Sequence, residues 1–321
     1  MSIADNPIFH DAEAAREWLE ALLWPDGPVC PHCGLIGCAY KMRNKSQRAG
    51  VYECKGCSEQ FTVTVGTLFE RSHIPLNKWV LAFQLMGASK KGISAHQMHR
   101  MLGITYKSAW FMMHRIREAL TDGLLPAKLG GENKVVEIDE TYVGGKETNK
   151  HKSKRTPGRH GGAGKAPVLA LVERDGRMRS QHVANVNSKT LGPVIAAQVN
   201  KASYIMTDDS TVYPPITKDF AGHGTVNHSL EEYVRAGFWH TNTVENYFSI
   251  LKRGIMGTYH HVSEAHLHRY LAEFDFRYNQ RIALGVDDDQ RMAKAAKGIS
   301  GKRLTYRRAR GAKEAEAEIP F

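Results

Sequence analysis

No stretch of these 321 residues approaches the ~20 consecutive apolar residues of a membrane span, so the sequence offers no membrane-spanning helix. The first twenty residues, MSIADNPIFHDAEAAREWLE, lack the basic start and apolar run of a secretory signal. Together these absences predict a cytoplasmic protein. Cysteine is scarce, at five residues, too few to staple so long a chain through disulfides. Acidic residues are in short supply, 33 against 44 Lys and Arg, which leaves a net charge of +11 and predicts a polyanionic partner. Hydrophobic content of 42% is ordinary for a globular protein, and the length suffices for two or three domains.

The positive charge is concentrated. Residues 77–118 hold seven Lys/Arg and one Glu, residues 144–166 another seven and one Glu, and residues 291–313 nine and no acid. A single charge run is often only a solvated face; three of them around one acidic constellation suggest a grip on a polyanion.

Four of the five cysteines form C-x2-C-x20-C-x2-C: Cys30-Pro-His-Cys33 and Cys54-Lys-Gly-Cys57. Each pair can close a knuckle that points two thiolates at one ion, and four thiolates complete a tetrahedral zinc shell with no open position. The alternative, two disulfides, is disfavoured in a reducing compartment. Cys38 is left over as a buried or spectator thiol. VYECKGC and EQFTVTVGTLF, rich in β-branched and aromatic residues, predict the short strands of a ribbon.

Residues 76–120 predict three helices. Leu76, Trp79, Val80 and Phe83 recur at helical spacing; Ser94 caps a short helix that ends at Gly103; Thr105 caps a third with the stripe Trp110, Met113, Ile116 and Leu120. A short helix, a glycine turn and a basic second helix fit a helix-turn-helix, with Lys107, His114, Arg115 and Arg117 facing phosphate or groove; an ordinary helical hairpin is the bland alternative. Residues 121–134 predict a linker.

Beyond it, VVEIDETYV (135–143) predicts a strand, with Asp139 at the end of its apolar run VVEID. A glycine-rich basic loop follows, carrying Lys152, Lys154 and Arg155. APVLALVERDG and MRSQHVANV predict a hairpin turning at Asp175-Gly176, SKTLGPVIAAQVNK a helix capped by Ser188, SYIMTDD a strand ending at Asp208, and GTVNHS a short strand. In NTVENYFSILKRG, Val244, Phe248, Leu251 and Ile255 share one helix face, and Asn242, Glu245, Ser249 and Lys252 another; Arg253 follows. A longer helix closes the region. This order predicts an α/β catalytic domain with an RNase H-like mixed sheet. Two strand-end aspartates and a helical glutamate provide the hard oxygen donors of a two-metal phosphoryl-transfer site. Asp209 remains the alternative to Asp208, and Glu140 would point to the sheet face opposite Asp139.

CPHCG…CKGC, IDETYVGGKE, MTDDSTVY and HTNTVENYFSILKRGIMGTYHHVSEAHLHRYLAEFDFRYNQR, in this order, resemble the DDE-type transposases of bacterial insertion sequences, in the subgroup with an N-terminal zinc ribbon. The resemblance spans roughly residues 20–285. It implies an RNase H-like core, magnesium or manganese, and double-stranded DNA as substrate, both transposon ends and target. It further implies Asp139, Asp208 and Glu245 as catalytic acids and Lys252 as their basic companion, with Asn242 or Asn246 the other matches for the third acid. Because two DNA ends must meet, a homo-oligomer on DNA is expected. The expected domains are an N-terminal helix and zinc ribbon (1–70), a helix-turn-helix (71–125), the catalytic domain (135–285, with a basic insertion at 144–166) and a basic C-terminal tail (286–321). A DNA-binding regulator without catalysis, or a structure-selective nuclease on the same fold, are the rival functions.

Overall fold

The computed structural model describes residues 3, 5–42, 49–121, 127–145, 147–155, 162, 164–226 and 238–305. The described residues form three units, of which the helical one draws on segments before and after the other two. The first is a three-stranded antiparallel ribbon, β1 (Ala39–Lys41), β2 (Tyr52–Cys54) and β3 (Gln60–Phe61). Its strands are shorter than the β-branched run FTVTV predicts. After Phe61 the chain leaves the ribbon, and Val63, Leu68 and Phe69 join the helical core instead.

That helical core is built by α1 (Ala12–Leu23), α2 (Leu76–Ala88), α3 (Ala95–Leu102) and α4 (Tyr106–Ala119). Leu19, Trp79, Phe83, Met98 and Met113 pack together in it. The helix ends are those legible in the sequence. Ser94 Oγ accepts from Gln97 N at 3.1 Å, Thr105 Oγ1 from Ser108 N at 3.2 Å, and Gly103 takes a left-handed φ of 58° at the turn between them.

The third unit is a five-stranded mixed sheet. Its strands are β4 (Val135–Val143), β5 (Ala166–Glu173), β6 (Met178–His182), β7 (Tyr204–Asp208) and β8 (Gly222–Val226), in the order β6-β5-β4-β7-β8. β4, β5 and β6 run antiparallel, while β7 and β8 join β4 in parallel. This is the expected RNase H-like arrangement. Alternation along β5 sends Val168, Ala170 and Val172 to one face and Leu169 and Leu171 to the other. On the first face lie α7 (Asn242–Gly254) and α8 (Glu264–Asn279); on the second, α5 (Ser188–Gln198) and the short α6 (Pro214–Thr217). The cap of α5 is Asn187, which accepts from Thr190 N at 2.9 Å. Ser188, expected in that role, is the first helical residue, and its hydroxyl donates to Val212 O.

The expected C-terminal tail is folded as far as the structure describes it. A capping box at Asp287 starts α9 (Asp288–Lys297), and Met292, Ala295 and Ile299 enter the N-terminal helical core. Thr67 and Ser300 then form an antiparallel bridge. The nine basic residues expected to form a grip are partly consumed. Arg291 is buried, donating to the carbonyls of Gln280, Gly87 and Val286. The Lys302 amine donates to the carbonyls of Glu118, Ala119 and Thr121 at the end of α4. Residues 306–321 lie outside the described part, as do residues 146, 156–161 and 163 of the basic insertion and the side chain of Lys154. No described helix is long and apolar enough to cross a membrane.

Candidate active site and zinc centre

The four knuckle cysteines converge. The sulfurs of Cys30, Cys33, Cys54 and Cys57 all lie within 4.8 Å of one another. Cys30 to Cys57 is 3.7 Å and Cys33 to Cys54 3.6 Å, far beyond the ~2.05 Å of a disulfide. Four soft donors gathered around one point, with none left over, fit a closed structural zinc site. Cys38 is exposed and outside the cluster.

The acids come together on the sheet face that carries α7. Parallel pairing sets Val135, Val136 and Glu137 against Tyr204, Ile205 and Met206; carried two residues on, this register brings Asp139 level with Asp208. Asp209 is exposed, one residue past the strand. Glu245 approaches from the first turn of α7, with Thr241 Oγ1 donating to its carboxylate at 2.8 Å. The helix is oriented as its pattern dictates: Val244, Phe248, Leu251 and Ile255 are buried, while Asn242, Ser249 and Lys252 are exposed and Glu245 is half-buried. A cleft of about 430 Å³ is lined by Asp139, Glu140, Thr141, Glu245, Phe248, Ser249, Lys252 and Arg253. Asp208 does not line it, but its charge acts on Asp139, which does.

Burial, the neighbouring Glu140 carboxylate and, more weakly, Asp208 and Glu245 push the Asp139 carboxyl up to about 7, although Glu140 N donates to it at 2.7 Å. Burial also raises Glu140, opposed by the Tyr213 hydroxyl, which donates to it from the α5 face. Glu140 borders the cleft, but its carboxylate turns to Tyr213 on the other face, as alternation along the strand requires. The three acids are a hard-oxygen donor set under mutual repulsion, which is what a divalent cation relieves. They are looser than the thiols: among the described residues only the four cysteines keep all ligand atoms within 4.8 Å.

Sequence reasoning missed Glu137. This fully buried carboxylate accepts from Arg174 Nε at 2.6 Å, from Thr243 N and Oγ1 at 2.8 and 2.9 Å, and from Val244 N at 3.0 Å. No side chain at Thr241 caps α7, so an acid from the sheet satisfies its first-turn N–H groups and complements the positive end of the helix. Arg174 also donates to the carbonyls of Phe238 and His240, and His240 Nδ1 lies 3.2 Å from Glu137. This clamp sets the start of α7 one turn before Glu245. The available signal was an acid inside the apolar run VVEID, two residues before Asp139 and therefore on the same face.

The expected DNA contacts divide. Lys107 and Lys152 are exposed, and Lys252 and Arg253 line the acidic cleft. Arg115 is half-buried, its Nε donating to Leu304 O. Arg155 donates to the carbonyls of Lys150 and Thr148 and so braces its own loop. Arg117 is no surface contact. It is 1% exposed, pairs with Glu273 at 2.6 Å and lies over the Tyr270 ring, joining α4 to α8. His114, also expected to face a groove, is buried, and burial followed by the nearby Arg117 lowers its pKa to about 3. Both sit on the side of α4 that α8 covers, so they cannot reach a groove.

Residues 10–60 match the transposase zinc-ribbon domain, and residues 128–279 match the ISXO2-like transposase domain. The chain is 29% identical over 284 residues, 84% of its length and 91% of the relative's, to an uncharacterized protein in transposable element ISH50 of Halobacterium salinarum. That relative is archaeal, so the bacterial source implied by the motifs is not supported. Among solved structures, a chain of the simian T-cell lymphotropic virus intasome in complex with PP2A regulatory subunit B56 gamma is similar at 16% identity and a TM-score of 0.27, over 56% of this chain and 63% of that one. With its ribbon of four cysteines and its mixed sheet bearing three acids, this chain carries a transposase zinc-ribbon domain over residues 10–60 and an ISXO2-like transposase domain over residues 128–279.

Proposed function

We propose that the chain binds the two ends of an insertion sequence, hydrolyses a phosphodiester at each, and joins the released 3′ end to target DNA. The observation that carries this reading is the meeting of three carboxylates from separate elements, Asp139 on β4, Asp208 on β7 and Glu245 on α7, beside a cleft that also bears Lys252 and Arg253. Asp139, Asp208 and Glu245 would hold two magnesium or manganese ions. When bound, such ions supply Lewis-acid activation of the scissile phosphate and of the attacking hydroxyl.

The rest falls to the chain's own residues. Lys252 and Arg253 are placed to hold strand phosphates at the cleft rim as cations. Glu137 and Arg174 keep α7 against the sheet, so that Glu245 is preorganised. The zinc ribbon, exposed Lys107 and the basic loop with Lys152, Lys154 and Arg155 would supply backbone affinity that falls with salt. Joining two ends calls for at least two copies on DNA.

The decisive assay pairs the full-length protein, magnesium and DNA carrying the inverted repeats that flank the gene. Cutting followed by joining is expected. Cutting without joining would make the protein a nuclease, and specific binding without cutting would make it a regulator.

A further inference from the structure

Past Lys252 the helix that carries Glu245 changes its winding. Ile255–Tyr259 form one turn of wider π-helix, and His260 closes it at a positive φ of 60°. Such turns are rare, and a residue with a side chain held at positive φ is strained. The surroundings hold it there. Ile255 is buried. The Tyr259 hydroxyl donates to Glu273 at 2.6 Å, its ring lies edge-on to Tyr270, and Gly92 packs against it where a Cβ would collide. Gly254 leaves room for the Phe274 ring and the Lys91 carbonyl. His260 Nδ1 donates back to Met256 O at 3.0 Å.

This bracing presents one apolar side chain to solvent. Met256 is 68% exposed. A lone exposed methionine on a loose loop would mean little; this one stands on a turn fixed from below by Ile255 and Tyr259. Its position is also specific. It lies four residues past Lys252 and three helical turns past Glu245, so it continues the row Glu245, Ser249 and Lys252 that lines the acidic cleft. Along the helix axis it is about 15 Å from Glu245. Residues 246–262 contain Lys252, Arg253, His260 and His261 and no acid, so the ground around Met256 favours a polyanion. An unbranched, polarisable apolar side chain on a basic ridge has the form of the wedges that enter between base steps of a duplex.

We propose that Met256 wedges into the base stack of the DNA lying along α7, opening one base step about four to five base pairs from the phosphate at the three acids, as about 15 Å of helix and 3.4 Å per base step require. The choice of DNA rests on the reading given under Proposed function. The test uses full-length, zinc-loaded protein in magnesium-free buffer. Its probes are duplexes carrying the inverted repeat that flanks the gene, with 2-aminopurine at successive positions on either side of the end of the repeat. The fluorescence of that base rises when its neighbours unstack. At saturation one position, about four to five base pairs from the end, is expected to brighten about threefold. Met256→Ala removes only an exposed side chain, so it is expected to keep the fold by circular dichroism and lose the rise; Met256→Leu, which keeps an apolar wedge, is expected to restore it. Saturated binding with flat fluorescence at every position, or a rise that survives Met256→Ala, would overturn the proposal. Flat fluorescence together with lost self-association of Met256→Ala would make the residue a contact between copies instead. No binding to the repeat would overturn this proposal and the reading it rests on together. Because the readout needs no cleavage, a bright position in a protein that cuts nothing when magnesium is added would sink the catalytic reading and leave this one standing.

Discussion

Replacing Asp139 by Asn separates what that side chain costs the fold from what it contributes to chemistry. The carboxyl is pushed from its ordinary 3.8 to about 7 by burial, by adjacent Glu140 and by the more distant Asp208 and Glu245. The native state therefore binds a proton that the unfolded chain has already lost between those two values. The corresponding stability is present below pH 4 and is lost as pH rises through 7. At 1.36 kcal/mol for each tenfold change in proton affinity, the ceiling is about 4 kcal/mol, and relaxation and solvent reduce the expected value to about 1–3 kcal/mol. The amide of the Asp139→Asn variant carries no charge to desolvate and no repulsion to bear. In magnesium-free buffer the variant is expected to be more stable than the wild type by that amount at pH 8, and nearly equal to it at pH 4. Magnesium should raise the midpoint of the wild type and leave the variant unmoved, because ions that bind only the native state stabilise it. Urea unfolding at the two pH values, with and without magnesium, measures all four quantities. A variant no more stable than the wild type at pH 8 would refute the claim that Asp139 is held in an unfavourable charged state, and with it the electrostatic case for a cation site.

Three other outcomes follow from the same packing. Glu137→Ala leaves Arg174 and the first turn of α7 without their acceptor, and is expected to cost about 3–5 kcal/mol in denaturant unfolding; a loss under 1 kcal/mol would contradict the clamp. Arg117→Ala should lose about 3–5 kcal/mol of stability because it strips Glu273 of a buried partner, whereas Lys107→Ala should stay within about 0.5 kcal/mol and weaken DNA binding with a shallower salt dependence. Equal stability of the two variants would argue against the buried pair. Cys33→Ser, or removal of zinc by a chelator, should release about one zinc per chain by atomic absorption and unfold the ribbon while far-UV circular dichroism retains the helices; a protein that holds no zinc to begin with would refute the centre.

Local pattern sufficed wherever the deciding interaction lies within a few residues. The two knuckles, the caps at Ser94 and Thr105, the glycine turn between them and the Asp175-Gly176 hairpin are such features, because their geometry is set by neighbouring backbone. The separate buried and polar stripes of α7 follow from the helical period, and alternation along β4 puts Asp139 and Glu140 on opposite faces. Period alone cannot say which polar residues a neighbouring element will cover. Arg117 pairs with Glu273, 156 residues away, and Arg291 finds the carbonyl of Gly87 across 204 residues, so both look like surface cations until the helices are packed. Glu137 likewise reads as one acid in an apolar strand, and only the docking of α7 turns it into the cap that positions Glu245. The sequence by itself marked most of the elements and the four cysteines that cluster, and it proposed the three acids. The tertiary structure decided which charges hold the protein together and which are left to meet a polyanion, because burial and long-range pairing depend on how the elements are packed against one another.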